Sequence, residues 1–289
     1  MIWLWLVPAL LLLAPVGLCL FFSFQVTHRH TLEQARSPAE VGLAFEEVAF
    51  PARDGLVLRG WWIPAPGADR AIISLHGQGG SMDPDLQYLP DWHVAGFHVL
   101  MFDFRAHGRS PGQVSTVGYL ERQDAQGAVD FVRARGIERI GFLGFSMGGM
   151  VAMLSAPLCP EVGAVVSDGA PARLWTGLAG RGLEWGVPPW LARPLGWLTI
   201  ALTSLRLRVN LFRYEPVRSV GRISPRPLLL IHGDRDPYVR PAEFEALLAA
   251  ARPPVEVWRV PEAGHRTVDQ LYPEEWRRRV VGFFDRYLC

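Results

Sequence analysis

The sequence contains no lysine; all 29 of its basic residues are arginine. That absence removes Ser-Lys catalysis and lysine Schiff-base chemistry from the possible mechanisms. Cysteine is scarce. Cys19, Cys159 and Cys289 are odd in number and widely spaced, which points to neither a disulfide framework nor a zinc site. Net charge is nearly absent too, at +1, so there is no basic face to neutralise phosphates and no nucleic-acid partner is expected. No internal repeat or low-complexity tract is present. What remains is 289 residues, 49% hydrophobic and 20% charged, enough for one large domain with a substantial core.

The stretch Gly144-Phe145-Ser146-Met147-Gly148 reads G-x-S-x-G, after an apolar run over 140–143 and before a helical run over 147–155. The context carries more than the five letters, which alone describe any serine in a glycine-rich turn. A strand that delivers a serine into a sharp turn, with a helix leaving at once, forces strained backbone geometry on it. Small neighbours two residues away leave room for that close approach. The hydroxyl then stands at the top of a sheet, facing the positive end of a new helix. Ser146 is the candidate nucleophile.

A serine needs an adjacent base, itself oriented by a carboxylate. Two later apolar or alternating runs end in loops bearing such groups. Residues 228–231 lead into His232-Gly233-Asp234-Arg235-Asp236, and residues 255–260 into Pro261-Glu262-Ala263-Gly264-His265. Alone, His265 reads as a loop histidine and Asp236, before Pro237, as a turn residue. In the order Ser146, Asp236, His265, each at a strand end, they read as a triad. Asp168, at the end of a run over 162–167, is the reserve acid.

On these motifs the chain resembles the serine hydrolases of the α/β-hydrolase fold, over nearly everything after about residue 42. The resemblance assigns the acid to Asp236 and leaves Asp234 as a turn former. It places an oxyanion loop at Leu75-His76-Gly77-Gln78-Gly79-Gly80, with the main-chain amides of Gln78 and Met147 as the oxyanion donors. The stretch Asp103-Phe104-Arg105-Ala106-His107-Gly108-Arg109-Ser110 looks like the D-x-R-x-x-G-x-S loop that follows the fourth strand in such enzymes. It implies no cofactor and no metal, and a small-molecule acyl substrate. None of these motifs selects a particular substrate.

Residues 2–24 form 23 positions without a charge. At ~1.5 Å per residue such a helix crosses a ~30 Å hydrocarbon core with slight tilt. A cleaved signal peptide would want a basic start and a small-x-small site, and neither is present. Leu18 before Cys19 argues against a lipoprotein. A single transmembrane anchor is therefore expected over 2–24, with a linker over 25–41 and the hydrolase domain over 42–289. Arg29 and Arg36 follow the segment and no arginine precedes it, which favours a cytoplasmic catalytic domain.

The domain reads as a hairpin over 43–50 and 56–63, then strands over 71–75, 97–102, 140–143, 162–167, 228–231 and 255–260. Helices are expected over 88–95, 124–135, 147–155, 241–251 and 273–287. An opening antiparallel pair followed by β-α repeats implies a mostly parallel, doubly wound sheet of eight strands. Residues 170–222 are too long for an ordinary connection. They hold Trp175, Trp185, Trp190 and Trp197, four of eleven tryptophans, and are expected to form a helical cap. Such an insert could exclude water and line an acyl pocket, or its tryptophans could serve only to pack it onto the body.

The leading function is therefore a serine hydrolase acting on an ester or thioester, with lipophilic substrates near a membrane. A serine peptidase of the prolyl-oligopeptidase type shares the acid and histidine loops, but its usual propeller is absent. Acyl transfer differs only in the second nucleophile. A non-catalytic hydrolase-fold membrane protein would be expected to lack a triad member, and dehalogenase or epoxide-hydrolase chemistry wants an aspartate where Ser146 stands.

Overall fold

Short runs rich in β-branched, aliphatic and aromatic residues form the strands β1 (Glu46–Pro51), β2 (Val57–Ile63), β3 (Arg70–Leu75), β4 (His98–Asp103), β5 (Arg139–Phe145), β6 (Val162–Asp168), β7 (Leu228–Gly233) and β8 (Val255–Val260). The computed structural model describes residues 2–31 and 36–289, with side chains from residue 13 onward. Among the described residues these strands make one eight-stranded sheet in the order β1-β2-β4-β3-β5-β6-β7-β8. β2 runs antiparallel to both β1 and β4, and every pairing from β4 through β8 is parallel. The first two strands are joined by Ala52-Arg53-Asp54-Gly55, whose glycine has φ 89°.

The helices are α1 (Ile2–Thr27), α2 (Leu89–Val94), α3 (Glu121–Ala134), α4 (Met147–Ser155), α5 (Leu174–Glu184), α6 (Pro189–Leu207), α7 (Pro241–Ala250), α8 (Val268–Leu271) and α9 (Pro273–Tyr287). Successive strand residues point to opposite faces, so the sheet separates two cores. In β5, Ile140 and Phe142 join Val129 and Val132 of α3 and Val151 of α4. Leu143 and Phe145 point the other way, toward Trp92 of α2 and Trp276, Val280 and Phe284 of α9. This two-sided burial is why the parallel strands read as continuous apolar runs.

The N-terminal segment departs from expectation. Among the described residues no helix is long and apolar enough to cross a membrane, so the transmembrane anchor expected over 2–24 finds no support there. The side chains of residues 2–12 lie outside the described residues. In the part that is described, one face of α1 is occupied by protein. Cys19, Ser23 and Thr27, spaced by four, are buried, and α1 packs along α6. Cys19 Sγ donates to Leu195 O at 3.5 Å. Arg206 of α6 donates to Ser23 Oγ at 3.1 Å, Ser23 O at 2.9 Å and Thr27 Oγ1, with its guanidinium 4.2 Å from the Phe24 ring centre. A cation thus meets the negative end of the helix. α1 runs to Thr27, into the stretch expected as a linker over 25–41. Beyond it, His30 N donates to Ala106 O at 2.8 Å, while residues 32–35 lie outside the described residues.

Candidate active site

β5 ends at Phe145 and α4 begins at Met147, leaving Ser146 alone in the turn with φ 52° and ψ −113°. A non-glycine residue in this region is strained, and the surroundings must hold it there. Its N–H donates to Asp168 O at 2.8 Å. The flanking glycines are required by contact: a Cβ at Gly148 would lie 1.9 Å from Leu75 O, and one at Gly144 would lie 2.3 Å from Gly148 O.

The structure brings Ser146, His265 and Asp236 together. His265 Nε2 lies 3.0 Å from Ser146 Oγ, and His265 Nδ1 lies 2.6 Å from Asp236 Oδ2. Asp236 is buried, and its other oxygen accepts the N–H groups of Tyr238 and Val239, each at 2.8 Å. With three donors on one carboxylate, the acid can only present Oδ2 to the imidazole, which fixes Nδ1–H and leaves Nε2 as the acceptor facing the hydroxyl. The two loops interlock: Arg235 N donates to Ala263 O at 2.9 Å, and a Cβ at Gly233 would lie 2.4 Å from Ala263 O. Asp234 is held apart from the site in an ion pair with Arg259 at 2.5 Å.

Asp168 does not reach His265. Its carboxylate is buried and accepts Trp276 Nε1–H at 2.8 Å, and burial pushes its pKa up to about 6. Beside the histidine, Arg266 has φ 52° and reaches away from the cleft, donating to buried Asp85 at 2.7 Å with its guanidinium 3.9 Å from the Phe145 ring centre. This ion pair anchors the histidine loop to the body. Sequence reasoning missed it, since the arginine gains meaning only from a carboxylate 181 residues earlier.

The loop after β3 rests on two buried histidines. His76 Nδ1 donates to Gly77 O at 2.7 Å while its Nε2 accepts Phe104 N–H at 3.0 Å. His107 Nδ1 donates to Arg105 O at 2.9 Å while its Nε2 accepts Gly79 N–H at 3.2 Å. Both patterns need the neutral imidazole. Burial pushes His76 down to about 4; burial together with the neighbouring His76 pushes His107 down to about 3. The loop is also tied to α1, because Gln78 Nε2 donates to Val26 O at 2.5 Å. The D-x-R-x-x-G-x-S stretch is thus a support. Arg105 clamps Asp124 and Asp54, and Asp103 accepts Met82 N–H at 3.0 Å and Arg109 N–H at 2.9 Å. Gln78 and Met147 both line the same cleft as Ser146 and His265, Met147 as the first residue of α4.

That cleft holds about 680 Å³, within the ~300–1,000 Å³ range of small-molecule sites. Its walls are apolar: Met147 and Met150 of α4, Leu174 and Leu178 of α5, Leu195 and Ile200 of α6, and Leu18, Phe22 and Val26 of α1. Of the four tryptophans between β6 and β7, Trp185 lines it; Trp190 is 77% exposed, and Trp197, 52% exposed, stacks on Phe212 with ring centres 5.6 Å apart, so neither faces the cleft. The helices are seated by glycines, since a Cβ at Gly180 would lie 2.4 Å from Pro237 O and one at Gly196 would lie 2.6 Å from Trp175 O. Among the described residues no group of three or more histidine, cysteine or acidic side chains is placed to hold a metal.

Residues 70–193 match the family defined by the alpha/beta hydrolase fold. An uncharacterized protein, YfhR, of Salmonella typhimurium is 31% identical over 242 residues, covering 79% of this chain and 76% of its own. The uncharacterized protein YqkD of Bacillus subtilis is 29% identical over 255 residues, covering 83% and 80%. The solved Pyrococcus furiosus esterase Pf2001 superposes with a TM-score of 0.76 at 29% identity, over 91% of this chain and 99% of its own. The sheet order, the serine on the turn between β5 and α4, and these likenesses lead to one conclusion: this chain belongs to the α/β-hydrolase fold family.

Proposed function

We propose that the protein is a serine esterase that cleaves lipophilic acyl esters or thioesters through an acyl-enzyme on Ser146. The observation that carries this reading is the 3.0 Å and 2.6 Å relay from Ser146 through His265 to Asp236, opening into an apolar cleft. As Ser146 Oγ attacks the acyl carbon, His265 Nε2 takes its proton, and Asp236 stabilises the resulting imidazolium. The carbonyl oxygen becomes an oxyanion that the main-chain amides of Met147 and Gln78 receive, each donor worth ~2.7–4 kcal/mol. Collapse of this intermediate expels the alcohol or thiol, which leaves with the proton from His265. Water then gives a proton to His265 and attacks the acyl carbon, releasing the acid and restoring Ser146. The test is fluorophosphonate labelling of the full chain together with turnover of p-nitrophenyl esters from two to twelve carbons. Labelling at Ser146 with a preference beyond four carbons supports the reading; a preference for two- to four-carbon esters removes its lipophilic half.

The setting we propose is a lipid surface. Leu13, Leu18, Leu20, Phe21 and Phe24 of α1 and Trp185, Trp190, Trp197 and Leu205 around the cap helices are exposed, on the elements that enclose the cleft. Indole and apolar side chains grouped in this way favour a membrane–water interface. Flotation of the full chain with phosphatidylcholine vesicles, lost on Trp190→Ala with Trp197→Ala, supports this; a full chain that stays in the aqueous layer contradicts it.

A further inference from the structure

The N-terminal helix has two adjoining faces. Cys19, Ser23 and Thr27 meet α6, Cys19 at the edge of the cleft as well, and Leu18, Phe22 and Val26, each one residue earlier, line with Phe21 and Gln25 the cleft that contains Ser146. Phe22 also packs on Trp185, with ring centres 5.6 Å apart. At Val26 the helix carbonyl receives the side chain of Gln78, from the loop that carries one oxyanion amide.

From this juxtaposition we propose that α1 is a wall of the acyl-binding site, and that Leu18, Phe22 and Val26 determine which acyl chains the enzyme accepts. The segment that hydropathy marks as an anchor is thereby a specificity element. The geometry explains how it would act. The cap helices α5 and α6 cover only part of the cleft, and the remaining apolar wall comes from a segment more than 100 residues before Ser146 in the chain. The polar ties sit on the other face and at the helix end, where Arg206 and Gln78 hold α1 at fixed depth. An acyl chain extending from Ser146 would therefore meet Phe22 and Leu18 as rigidly placed surface. The proposal rests on Ser146 being the nucleophile for lipophilic esters.

The test uses the full chain and the ratio of kcat/KM for p-nitrophenyl decanoate to that for the butanoate. Removing the ring in Phe22→Ala is expected to lower this ratio about tenfold or more, as loss of apolar contact in a pocket does. Filling the cleft in Val26→Trp is expected to lower it as well, whereas Val94→Ala, at an exposed position of α2 outside the cleft, leaves it at the wild-type value. Fluorophosphonate labelling of Ser146 in each variant shows that the site is folded. A second measurement needs no substitution. A fluorophosphonate with a ten-carbon tail ending in a diazirine is attached to Ser146 and irradiated, and the tryptic peptide ending at Arg29 is expected to carry the cross-link. Wild-type ratios in both variants, or cross-links confined to α5 and α6, would overturn the wall while leaving the nucleophile intact. Absence of both labelling and ester turnover in the wild type would overturn the underlying reading, and the wall with it.

Discussion

The side chain of Gln78 donates to the carbonyl of Val26 at 2.5 Å, joining the loop after β3 to the last turn of α1. The N-terminal helix and the oxyanion loop therefore form one unit, in which the glutamine has two separable parts. Its side chain braces the loop, and its main-chain N–H is the donor proposed for the oxyanion.

Substitutions at this position should separate the parts. Gln78→Ala loses one hydrogen bond with a net worth of ~0.5–1.5 kcal/mol, so kcat should fall by about tenfold at most. Gln78→Pro removes the main-chain donor and should cost about 10²–10³ in kcat. Steady-state kinetics on one ester decides the matter. Equal losses would mean that the side chain, and not the amide, meets the oxyanion.

The two buried aspartates at neighbouring strand ends should behave differently. Asp236→Asn leaves a group that can donate to His265 and stabilise the wrong tautomer, with an expected loss of about 10⁴ in kcat. Asp168→Asn keeps an oxygen for Trp276 Nε1–H and should retain activity within about tenfold. An inactive Asp168→Asn that is still folded by circular dichroism would move the acid assignment to β6.

Acid should weaken the fold through the histidines beneath the oxyanion loop. An imidazole in the unfolded chain titrates near ~6.5, while burial holds His76 at about 4 and His107 at about 3. Both folded values are depressed. As pH falls below the unfolded value, the unfolded chain takes up protons that the folded chain refuses, so this stability fades downward toward the folded values. Asp168, raised to about 6, acts in the opposite sense: its contribution is present at low pH and is lost as pH rises through about 6. Comparison with a variant isolates the histidine part. Thermal melts from pH 7 to 5 should show a smaller drop in Tm for His107→Gln than for the wild type. Parallel curves would contradict a buried neutral His107.

Docking of α1 should depend on Arg206. Its guanidinium serves buried Ser23 and Thr27, and an unsatisfied buried group costs ~1–3 kcal/mol. Arg206→Ala is expected to speed tryptic cleavage after Arg29, with the remainder of the chain resisting as before. Unchanged cleavage would mean that the apolar contacts of α1 hold it without the arginine.

What the sequence revealed is what is encoded locally. The turn at Ser146 is specified by glycines whose absent Cβ atoms make room for Leu75 and Gly148, and His265 and Asp236 lie in loops directly after apolar strands. The strands were legible because both sheet faces are buried, which turns each into an uninterrupted apolar run. The role of α1 was not legible from hydropathy, which adds residues without regard to direction. Its signal is the spacing of Cys19, Ser23 and Thr27, three small side chains on one face of an otherwise apolar helix. Asp168 illustrates another limit. A strand end puts an acid near the site, but only the indole of Trp276 on α9 shows which way its carboxylate turns. The tryptophans between β6 and β7 were visible as a composition bias, yet exposure at Trp190 and Trp197 depends on the packing of α6 and has no local marker.

The account stands on Ser146 as the nucleophile. The direct measurement is mass spectrometry of the full chain and of Ser146→Ala after reaction with a fluorophosphonate, with ester turnover recorded on the same samples. The expected result is one adduct on the peptide carrying Ser146 in the wild type, none in the variant, and a fall in turnover of about 10⁴ to 10⁶. An adduct and near-normal turnover in Ser146→Ala would contradict the account.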